Sequence, residues 1–290
     1  MRQGKPNEIL ARMRATANGI EICYEVFGEP GGRPVVLIMG LGAQMISWPE
    51  EFIGLLVESG HRVVRFDNRD VGLSTHFTPA DGDAPAPSYL LDDMADDTAG
   101  LMDVLGWESA HVVGASMGGM IAQALAIRHP ARVRTLTSIM STPGPRVGRA
   151  TEEAMAALTA PAPQDRDGAI VRALENARVI GSPGYEMDVE RITRLAGEAY
   201  DRAFDPAGTA RQFIAIRRSA DRTEGLRGLS VPALVIHGED DPLVTLEGGT
   251  ATADAIPGAK LLTFPGMGHD LPRPLWPVIA EAITELTGRV

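Results

Sequence analysis

The chain has 290 residues, of which 44% are hydrophobic and 22% charged, close to ordinary globular usage. This composition excludes intrinsic disorder, collagen and coiled coil, and a chain of this length can bury a sizeable core without disulfides. A formal net charge of −11, from 27 Lys and Arg against 38 Asp and Glu, repels nucleic-acid phosphates and anionic membrane surfaces. We therefore expect neither a nucleic acid nor a membrane as a partner.

The sequence carries no sign of export or of a cysteine-based metal site. The single cysteine, Cys23, excludes an internal disulfide and a Cys-based zinc motif. Residues 1–13 are charged and lack the apolar region of a secretory signal. No stretch reaches the roughly 18 consecutive apolar residues of a transmembrane helix. We expect a cytoplasmic protein that holds no metal, and the oligomeric state stays open.

Short β-branched apolar runs alternate with longer runs of helical periodicity along most of the chain. The predicted strands are 20–27, 35–39, 62–66, 110–114, 133–140, 233–237 and 260–264. The predicted helices are 50–59, 89–105, 117–129, 245–256 and 276–286. Near-continuous apolar strands are typical of a mostly parallel sheet buried on both faces. Their alternation with helices predicts a doubly wound α/β fold.

One long segment, residues 142–228, interrupts this alternation. Apolar residues recur there at helical spacing, prolines and glycines separate the helical pieces, and no strand pattern is evident. We interpret the segment as a helical lid, inserted between two strands of a core formed by residues 1–141 and 229–290. It would cover the C-terminal edge of the sheet. The alternative is an independent helical domain.

The strongest local signal is the sequence GASMG at 114–118, which directly follows a predicted strand and directly precedes a predicted helix. A G-x-S-x-G nucleophile elbow requires this context, because its small residues permit a sharp, strained turn between strand and helix. Ser116 Oγ would then stand exposed at the end of the strand. We predict that Ser116 is a nucleophile; the alternative is a glycine-rich turn without a chemical role.

A serine hydroxyl is a poor nucleophile unless a base, usually histidine, takes its proton. Of the six histidines, His269 follows the last predicted strand and so lies at the same C-terminal sheet edge as Ser116. We predict that His269 is the base, and His237, at the end of a strand, is the weaker candidate.

An anion on the other imidazole nitrogen must hold the tautomer of the base. The run GEDDP at 238–242 follows a predicted strand, and we choose Asp241 over its neighbour Asp240 as this anion. The chain order is then Ser116, Asp241, His269.

Two backbone N–H groups must be in place to stabilise the oxyanion formed when a serine attacks a carbonyl. We predict that Met117, which follows the nucleophile, and Leu41, in the glycine-rich turn after the strand 35–39, supply them. That turn also supports a rival interpretation, because Gly40-x-Gly42 is part of a dinucleotide-binding fingerprint. The third glycine position is Met45, so we expect no nucleotide and no other cofactor.

The predicted C-terminal edge of the sheet is rich in methionine, a side chain that fills irregular apolar space. We predict that five residues there line an apolar substrate pocket: Met39, Gly40, Met45, Met140 and Met267. The alternative is ordinary core packing. No Arg or Lys adjoins the elbow, so we do not expect a phosphate or dicarboxylate substrate.

Together these motifs resemble the α/β-hydrolase superfamily over nearly the whole chain. Four stretches more narrowly resemble the aclacinomycin methylesterases, which tailor polyketides: WPEEF (48–52), RFDNRDVGLS (65–74), AHVVGASMGG (110–119) and PGMGHDLP (265–272). The resemblance implies an α/β-hydrolase fold and hydrolysis of a carboxylic ester without metal or cofactor. It departs in the lid, and at Met39-Gly40, where many members of the superfamily have His-Gly.

The leading hypothesis is a serine esterase that acts on a small-molecule ester with an apolar, bulky acyl group, such as a methyl ester. One alternative keeps the fold and replaces water by peroxide, which makes a cofactor-free perhydrolase like the non-haem haloperoxidases. The other is a non-catalytic member that only binds a small molecule. The presence of Ser116, Asp241 and His269 argues against this last hypothesis.

Overall fold

The computed structural model describes residues 12–77 and 89–290, and eight strands in these ranges form one sheet. The strands are β1 (Arg12–Ala17), β2 (Ile20–Phe27), β3 (Arg33–Ile38), β4 (His61–Phe66), β5 (Ala110–Ala115), β6 (Val133–Ile139), β7 (Ala233–Gly238) and β8 (Lys260–Phe264). Their order across the sheet is β1-β2-β4-β3-β5-β6-β7-β8. The pairs β1–β2 and β2–β4 are antiparallel, and all other neighbours are parallel. The predicted mostly parallel α/β sheet is confirmed.

The described ranges contain ten α-helices. They are α1 (Glu50–Glu58), α2 (Leu91–Val104), α3 (Met117–Arg128), α4 (Glu152–Thr159), α5 (Arg166–Ile180), α6 (Val189–Arg202), α7 (Pro206–Arg218), α8 (Thr223–Arg227), α9 (Leu246–Ala255) and α10 (Trp276–Thr287). Helices α2, α3 and α9 cover one face of the sheet, and α1 and α10 cover the other. None of these helices is long and apolar enough to serve as a membrane span.

The covered faces explain why the central strands are apolar along their whole length. On β3, Val36 and Ile38 pack into the cluster with α2 and α3, whereas Val35 and Leu37 pack into the cluster with α1 and α10. Successive side chains of a strand point to opposite faces, so a strand covered on both faces needs apolar residues at every position. The buried sheet therefore presents only its edges to ligands.

Residues 142–228, hereafter the insertion, lie between β6 and β7, which pair directly with each other. The insertion contains α4 to α8 and, since all of its residues are described, no strand. Side-chain oxygens of Thr151, Asp165, Asp188 and Asp205 cap four of these helices by accepting a hydrogen bond from the N–H three residues on. Such caps stabilise a helix end by about 1 kcal/mol each and mark where each helix begins.

The edge strand β1 is absent from the predicted strands. Its sequence RMRATA alternates exposed and half-buried positions, and two of its outer positions are arginines rather than apolar residues. Arg12 pairs with Glu25 and Arg14 with Glu21, both on β2. Charges at a sheet edge discourage pairing with other chains, and they also mask the strand pattern. Residues 1–11, for which the sequence predicts no secretory signal, lie outside the described residues.

Candidate active site

Ser116 lies between the last residue of β5 and the first residue of α3, with φ 56° and ψ −120°. This left-handed conformation is uncommon for a residue with a side chain, and strain of this kind is concentrated at functional sites. The turn requires the flanking glycines. A Cβ at Gly114 would lie 2.0 Å from the Gly118 carbonyl oxygen, and one at Gly118 would lie 2.1 Å from the Ile38 carbonyl oxygen. The elbow is therefore sterically closed to larger residues.

The structure brings Ser116, His269 and Asp241 into one hydrogen-bonded chain. His269 Nε2 lies 2.9 Å from Ser116 Oγ, and His269 Nδ1 lies 2.7 Å from Asp241 Oδ2. With the proton on Nδ1, the imidazole donates to the carboxylate and accepts from the serine hydroxyl. Asp241 Oδ1 accepts from the N–H groups of Leu243 and Val244, both at 2.9 Å. These bonds hold the buried carboxylate so that its second oxygen faces His269.

The two weaker candidates lie close by but do not contact Ser116 or replace either partner. Asp240 Oδ2 accepts from the Gly266 N–H at 2.7 Å and supports the loop before His269. His237 is fully buried and donates through Nε2 to the Val244 carbonyl at 2.7 Å. Burial lowers its pKa and disfavours the charged form of the ring. Both side chains stabilise the loops around the site.

Backbone from two loops surrounds the serine hydroxyl. A Cβ at Gly40 would lie 3.2 Å from Ser116 Cβ, so the turn after β3 passes directly beside the serine. Met117 is the first residue of α3, and its N–H has no acceptor within the helix. Within the part of the chain that the structure describes, the Leu41 N–H also has no hydrogen-bond acceptor. Among the described residues, neither of the two predicted oxyanion donors thus uses its N–H group in a backbone hydrogen bond.

A cavity of about 510 Å³ lies between the insertion and the loops that carry Leu41, Gly42 and Asp70. This volume is in the range of small-molecule sites. Most of its wall comes from the insertion and consists of small or aromatic residues: Ala157, Ala160, Ala162, Ala169, Ala196, Ala199, Ala203, Ala210, Tyr200, Phe204 and Phe213. The rings of Tyr200 and Phe204 pack with centroids 4.8 Å apart. The lining also includes polar side chains, among them Gln44, Asp70, Arg172, Asn176 and Asp205. Leu41 belongs to the lining, whereas Ser116 and His269 do not, so the cavity lies beside the elbow at the turn that carries Leu41.

The predicted pocket residues lie elsewhere. Met39, Met140 and Met267 pack into the apolar cluster under α1 and α10, and Met45 is fully buried. Gly40 lies against Ser116, and none of the five lines the 510 Å³ cavity. Their role in binding stays a prediction. The sequence signal that would have pointed to the actual wall is the spacing of alanines along the insertion helices, which leaves room rather than filling it.

The insertion also holds the loop that carries His269. The His269 N–H donates to the Ile180 carbonyl at 2.7 Å, and the Gly268 N–H donates to Ser182 Oγ at 2.9 Å. Ser182 Oγ in turn donates to the carboxylate of Asp270. Burial raises the pKa of Asp270. The backbone of the histidine loop is thus held by the last residue of α5, Ile180, and by Ser182 just after it.

Asp70, His76 and Asp205 form a cluster whose ligand atoms lie within 4.8 Å of one another. Arg211 already occupies both carboxylate oxygens of Asp70, at 2.8 and 2.9 Å, and His76 Nδ1 lies 2.8 Å from Asp205 Oδ2. Burial lowers the pKa of His76, but the hydrogen bonds to Asp205 and to the Gly72 carbonyl, together with the charges of Asp205 and Asp70, outweigh burial and leave the pKa above its ordinary value. We interpret the cluster as an ion-pair network between core and insertion.

A strained serine after a central parallel strand, facing a histidine at the same sheet edge, defines the class of α/β hydrolases. A family model described as the alpha/beta hydrolase fold matches residues 33–272, so the chain belongs to this family. The predicted family resemblance and fold class are confirmed.

Individual relatives cover most of the chain. It is 29% identical to "Rhodomycin D methylesterase DauP" of Streptomyces sp. (strain C5), over 92% of this chain and 95% of the relative. It is 32% identical to "Putative carbamate hydrolase RutD" of Variovorax paradoxus (strain S110), over 85% and 88%. Among solved structures, the enol-lactonase from Burkholderia xenovorans LB400 matches with TM-score 0.72 and 26% identity, over 95% and 100% of the chains.

Proposed function

We propose that the protein is a serine esterase that hydrolyses a carboxylic ester through an acyl-enzyme. The observation that carries this proposal is the hydrogen-bonded chain from Asp241 through His269 to Ser116 at the strained elbow. The methylesterase among the relatives supports an ester as the substrate. In this role Ser116 is the nucleophile, His269 the general base and Asp241 the residue that orients it.

The geometry supports a two-stage reaction. Ser116 Oγ attacks the ester carbonyl carbon while His269 Nε2 takes the hydroxyl proton, and Asp241 stabilises the imidazolium. The N–H groups of Leu41 and Met117 stabilise the tetrahedral oxyanion. As the intermediate collapses, the bond to the alcohol breaks and His269 returns the proton to the leaving oxygen. Water, deprotonated by His269, then cleaves the acyl-enzyme and restores Ser116.

Substrate choice belongs, in this proposal, to the insertion acting as a lid over the sheet edge. A cavity of about 510 Å³ with alanine and aromatic walls suits a bulky, flat, apolar acyl group. The similarity to a methylesterase supports a small alcohol, such as methanol, as the leaving group. The proposed substrate is therefore a small-alcohol ester of a large apolar acid.

Covalent labelling tests the reaction type. A fluorophosphonate should add to Ser116, and Ser116→Ala should abolish both labelling and hydrolysis of p-nitrophenyl acetate. Ser109→Ala is the matched control, because Ser109 directly precedes the other end of β5. This variant should keep both the labelling and the hydrolysis. Peptide mapping identifies the adduct. An adduct on another serine, or hydrolysis that survives Ser116→Ala, contradicts the proposed nucleophile.

A matrix of esters tests the substrate. Methyl, ethyl and butyl esters of acetic, benzoic and polycyclic acids should show the highest kcat/KM for methyl esters of the largest acids. If acetyl esters of long alcohols are preferred, the cavity holds the alcohol instead. If peroxide-dependent halogenation outpaces hydrolysis of every ester, the perhydrolase alternative replaces this proposal.

A further inference from the structure

The turn that carries Leu41 lies directly against a helix of the insertion. Gly42, in the left-handed region with φ +67°, donates its N–H to Gln212 Oε1 at 2.8 Å. A Cβ at Gly42 would lie 2.9 Å from Thr209 Cγ2, one turn before Gln212 on α7. The turn and α7 are therefore in van der Waals contact as well as hydrogen bonded.

Gln212 is fully buried, and both ends of its side-chain amide are used. While Oε1 accepts from Gly42, Nε2 donates to the Arg69 carbonyl at 2.7 Å. Exchanging the amide oxygen and nitrogen would set donor against donor at Gly42 and acceptor against acceptor at Arg69. A buried polar group without partners is costly, so the amide has one orientation and ties two core loops together.

The orientation of the Gly42 N–H bears on the predicted oxyanion donor beside it. Peptide groups are planar, so only φ and ψ of Leu41 separate the peptide that ends in the Gly42 N–H from the peptide that carries the Leu41 N–H. Glycines at 40 and 42 leave the local backbone a wide choice of conformations. A donor for an oxyanion must be oriented before charge develops. A bond that fixes the Gly42 peptide thus limits the directions open to the Leu41 N–H.

We propose that Gln212 is a positioning residue that holds the turn at 40–42 in the conformation in which the Leu41 N–H faces the oxyanion. This inference rests on the proposed esterase function. It gives the insertion a part in the rate of the reaction in addition to the choice of substrate. Gln212 does not touch the substrate in this role, because it acts only through the backbone of Gly42.

Gln212→Met and Gln212→Glu separate the two bonds of the amide. Methionine has a similar shape and removes both bonds, whereas glutamate keeps the acceptor for the Gly42 N–H and loses the donor to the Arg69 carbonyl. With p-nitrophenyl acetate, we expect Gln212→Met to lower kcat on the order of 10–100-fold with KM within about twofold, below the full loss of one oxyanion donor. Gln212→Glu should keep most of kcat.

Thionoesters supply a readout that a merely structural role would not change. Sulfur is a weak hydrogen-bond acceptor, so an ordered oxyanion hole favours the oxygen ester over its thiono analogue. The ratio of kcat/KM between oxygen ester and thionoester should fall in Gln212→Met and be retained in Gln212→Glu. Ser219→Ala is the control, because it removes the hydrogen bond that the Leu91 N–H donates to Ser219 Oγ, directly after α7, and leaves the bond between Gly42 and Gln212 in place. It should lower Tm and leave the ratio unchanged.

The proposal is overturned if Gln212→Met lowers Tm while kcat and the thionoester ratio stay within threefold of the unaltered protein. It is also overturned if Gln212→Glu loses the ratio as fully as Gln212→Met does. Should Gln212→Met not fold, Gln212→Asn, whose amide is withdrawn by one methylene, takes the same test. Failure of the esterase function itself is recognised separately, because the unaltered protein would then not hydrolyse p-nitrophenyl acetate through Ser116.

Discussion

The sheet core and the insertion bury their residues in different ways. Strands β5 and β7 are buried at every position, whereas α5 of the insertion has no buried residue at all. The core is held by two apolar clusters that sandwich the sheet. Burial of apolar surface on this scale leaves the strand ends little freedom. Ser116 follows the end of β5 directly, and Asp241 lies in the turn just after β7.

Polar contacts near the cavity attach the insertion to the core. Arg202 pairs with Asp67 at 3.0 Å, Arg211 pairs with Asp70, and Gln212 joins two core loops. Both carboxylates are fully buried, so removing one arginine would leave an unpaired buried charge and destabilise the protein strongly. The comparison teaches that the proposed nucleophile and acid follow strands of the apolar core, while the cavity wall and the His269 loop depend on a unit attached through specific, directional bonds.

The largest effect is expected on the core side of this comparison. Asp241→Asn should lower kcat/KM by on the order of 10³–10⁴-fold, because the amide no longer holds the imidazole in the productive tautomer. Asp240→Asn is the matched control, since Asp240 bonds only the Gly266 N–H and an amide oxygen can replace it. Steady-state hydrolysis of p-nitrophenyl acetate measures both. If Asp240→Asn costs more than Asp241→Asn, the wrong acid has been assigned.

The next effect concerns the stability of the core at low pH. His111 is fully buried on β5, and burial lowers its pKa from 6.5 to about 4, with a further contribution from nearby Arg134. In the unfolded chain, His111 therefore binds a proton below about pH 6.5, whereas in the folded protein it does so only below about pH 4. Stability is fully present above pH 6.5 and falls as pH drops through this window, by up to about 3 kcal/mol.

Urea unfolding at pH 7.5 and pH 5 measures this loss, and His111→Gln supplies the comparison. Glutamine does not titrate, so the difference in unfolding free energy between the two pH values should shrink in the variant. All other titratable groups are the same in both proteins, so their contributions cancel in the comparison. An unchanged pH dependence in His111→Gln would contradict the assignment.

On the insertion side, Phe213→Ala should change the ranking of substrates rather than the chemistry. Phe213 lines the cavity, and replacing it opens space at the aromatic wall. We expect kcat/KM for bulky acyl esters to change relative to acetyl esters by about 1–3 kcal/mol, as for methylene-sized differences in an apolar pocket. Ser116 should stay reactive to a small fluorophosphonate. Loss of that labelling in a folded variant would mean that the cavity wall belongs to the catalytic machinery.

The smallest effect is expected where the two regions meet. Burial has the largest single effect on the pKa of His76 and lowers it, but the hydrogen bonds to Asp205 and the Gly72 carbonyl and the charges of Asp205 and Asp70 together raise the pKa above its ordinary value. A raised pKa means that the contribution of the pair is fully present below about pH 6.5 and is lost as pH rises through the higher folded value. The contribution of His76 to stability is therefore lost as the pH rises, whereas the stability at His111 is lost as the pH falls. The pair is partly exposed, so we expect a change under about 1 kcal/mol.

Hydrogen exchange of the first turn of α7 measures the change at the His76–Asp205 pair. Exchange of these amides, corrected for the intrinsic pH dependence, should speed up slightly from pH 6 to pH 8.5 in the unaltered protein. His76→Gln should remove the difference. If amides in β5 respond equally, the effect is global and not confined to the contact between core and insertion.

Predictions from sequence succeeded where a local pattern has one structural solution. The predicted strands 20–27 and 260–264 coincide with β2 and β8, and the other predicted strands differ by one or two residues at their ends. The small residues of GASMG indicated the strained turn at Ser116, because only glycine tolerates the approach of strand and helix there. The edge strand β1 escaped prediction, since its arginines replace the apolar positions of the pattern.

The methionines show why a pocket is harder to predict. Met45 and Met267 do lie beyond strand ends, but their side chains are fully buried rather than turned towards the cavity. A cavity exists where side chains do not fill the available space. Whether the space is filled depends on neighbours from distant parts of the chain. Alanines of the insertion helices and of the loops between them form part of the wall, and alanine by itself is an ordinary helix residue.

The sequence by itself determined the sheet and the elbow at Ser116, and it placed an acidic turn and His269 after later strands, because apolar periodicity and glycine requirements act over a few neighbouring residues. Only the tertiary structure decided that Asp241 rather than Asp240 faces His269, since that depends on how one turn follows β7. It alone also decided that Gln212 meets Gly42, 170 residues earlier in the chain. Contacts of this range arise from the packing of whole elements, and no local pattern encodes them.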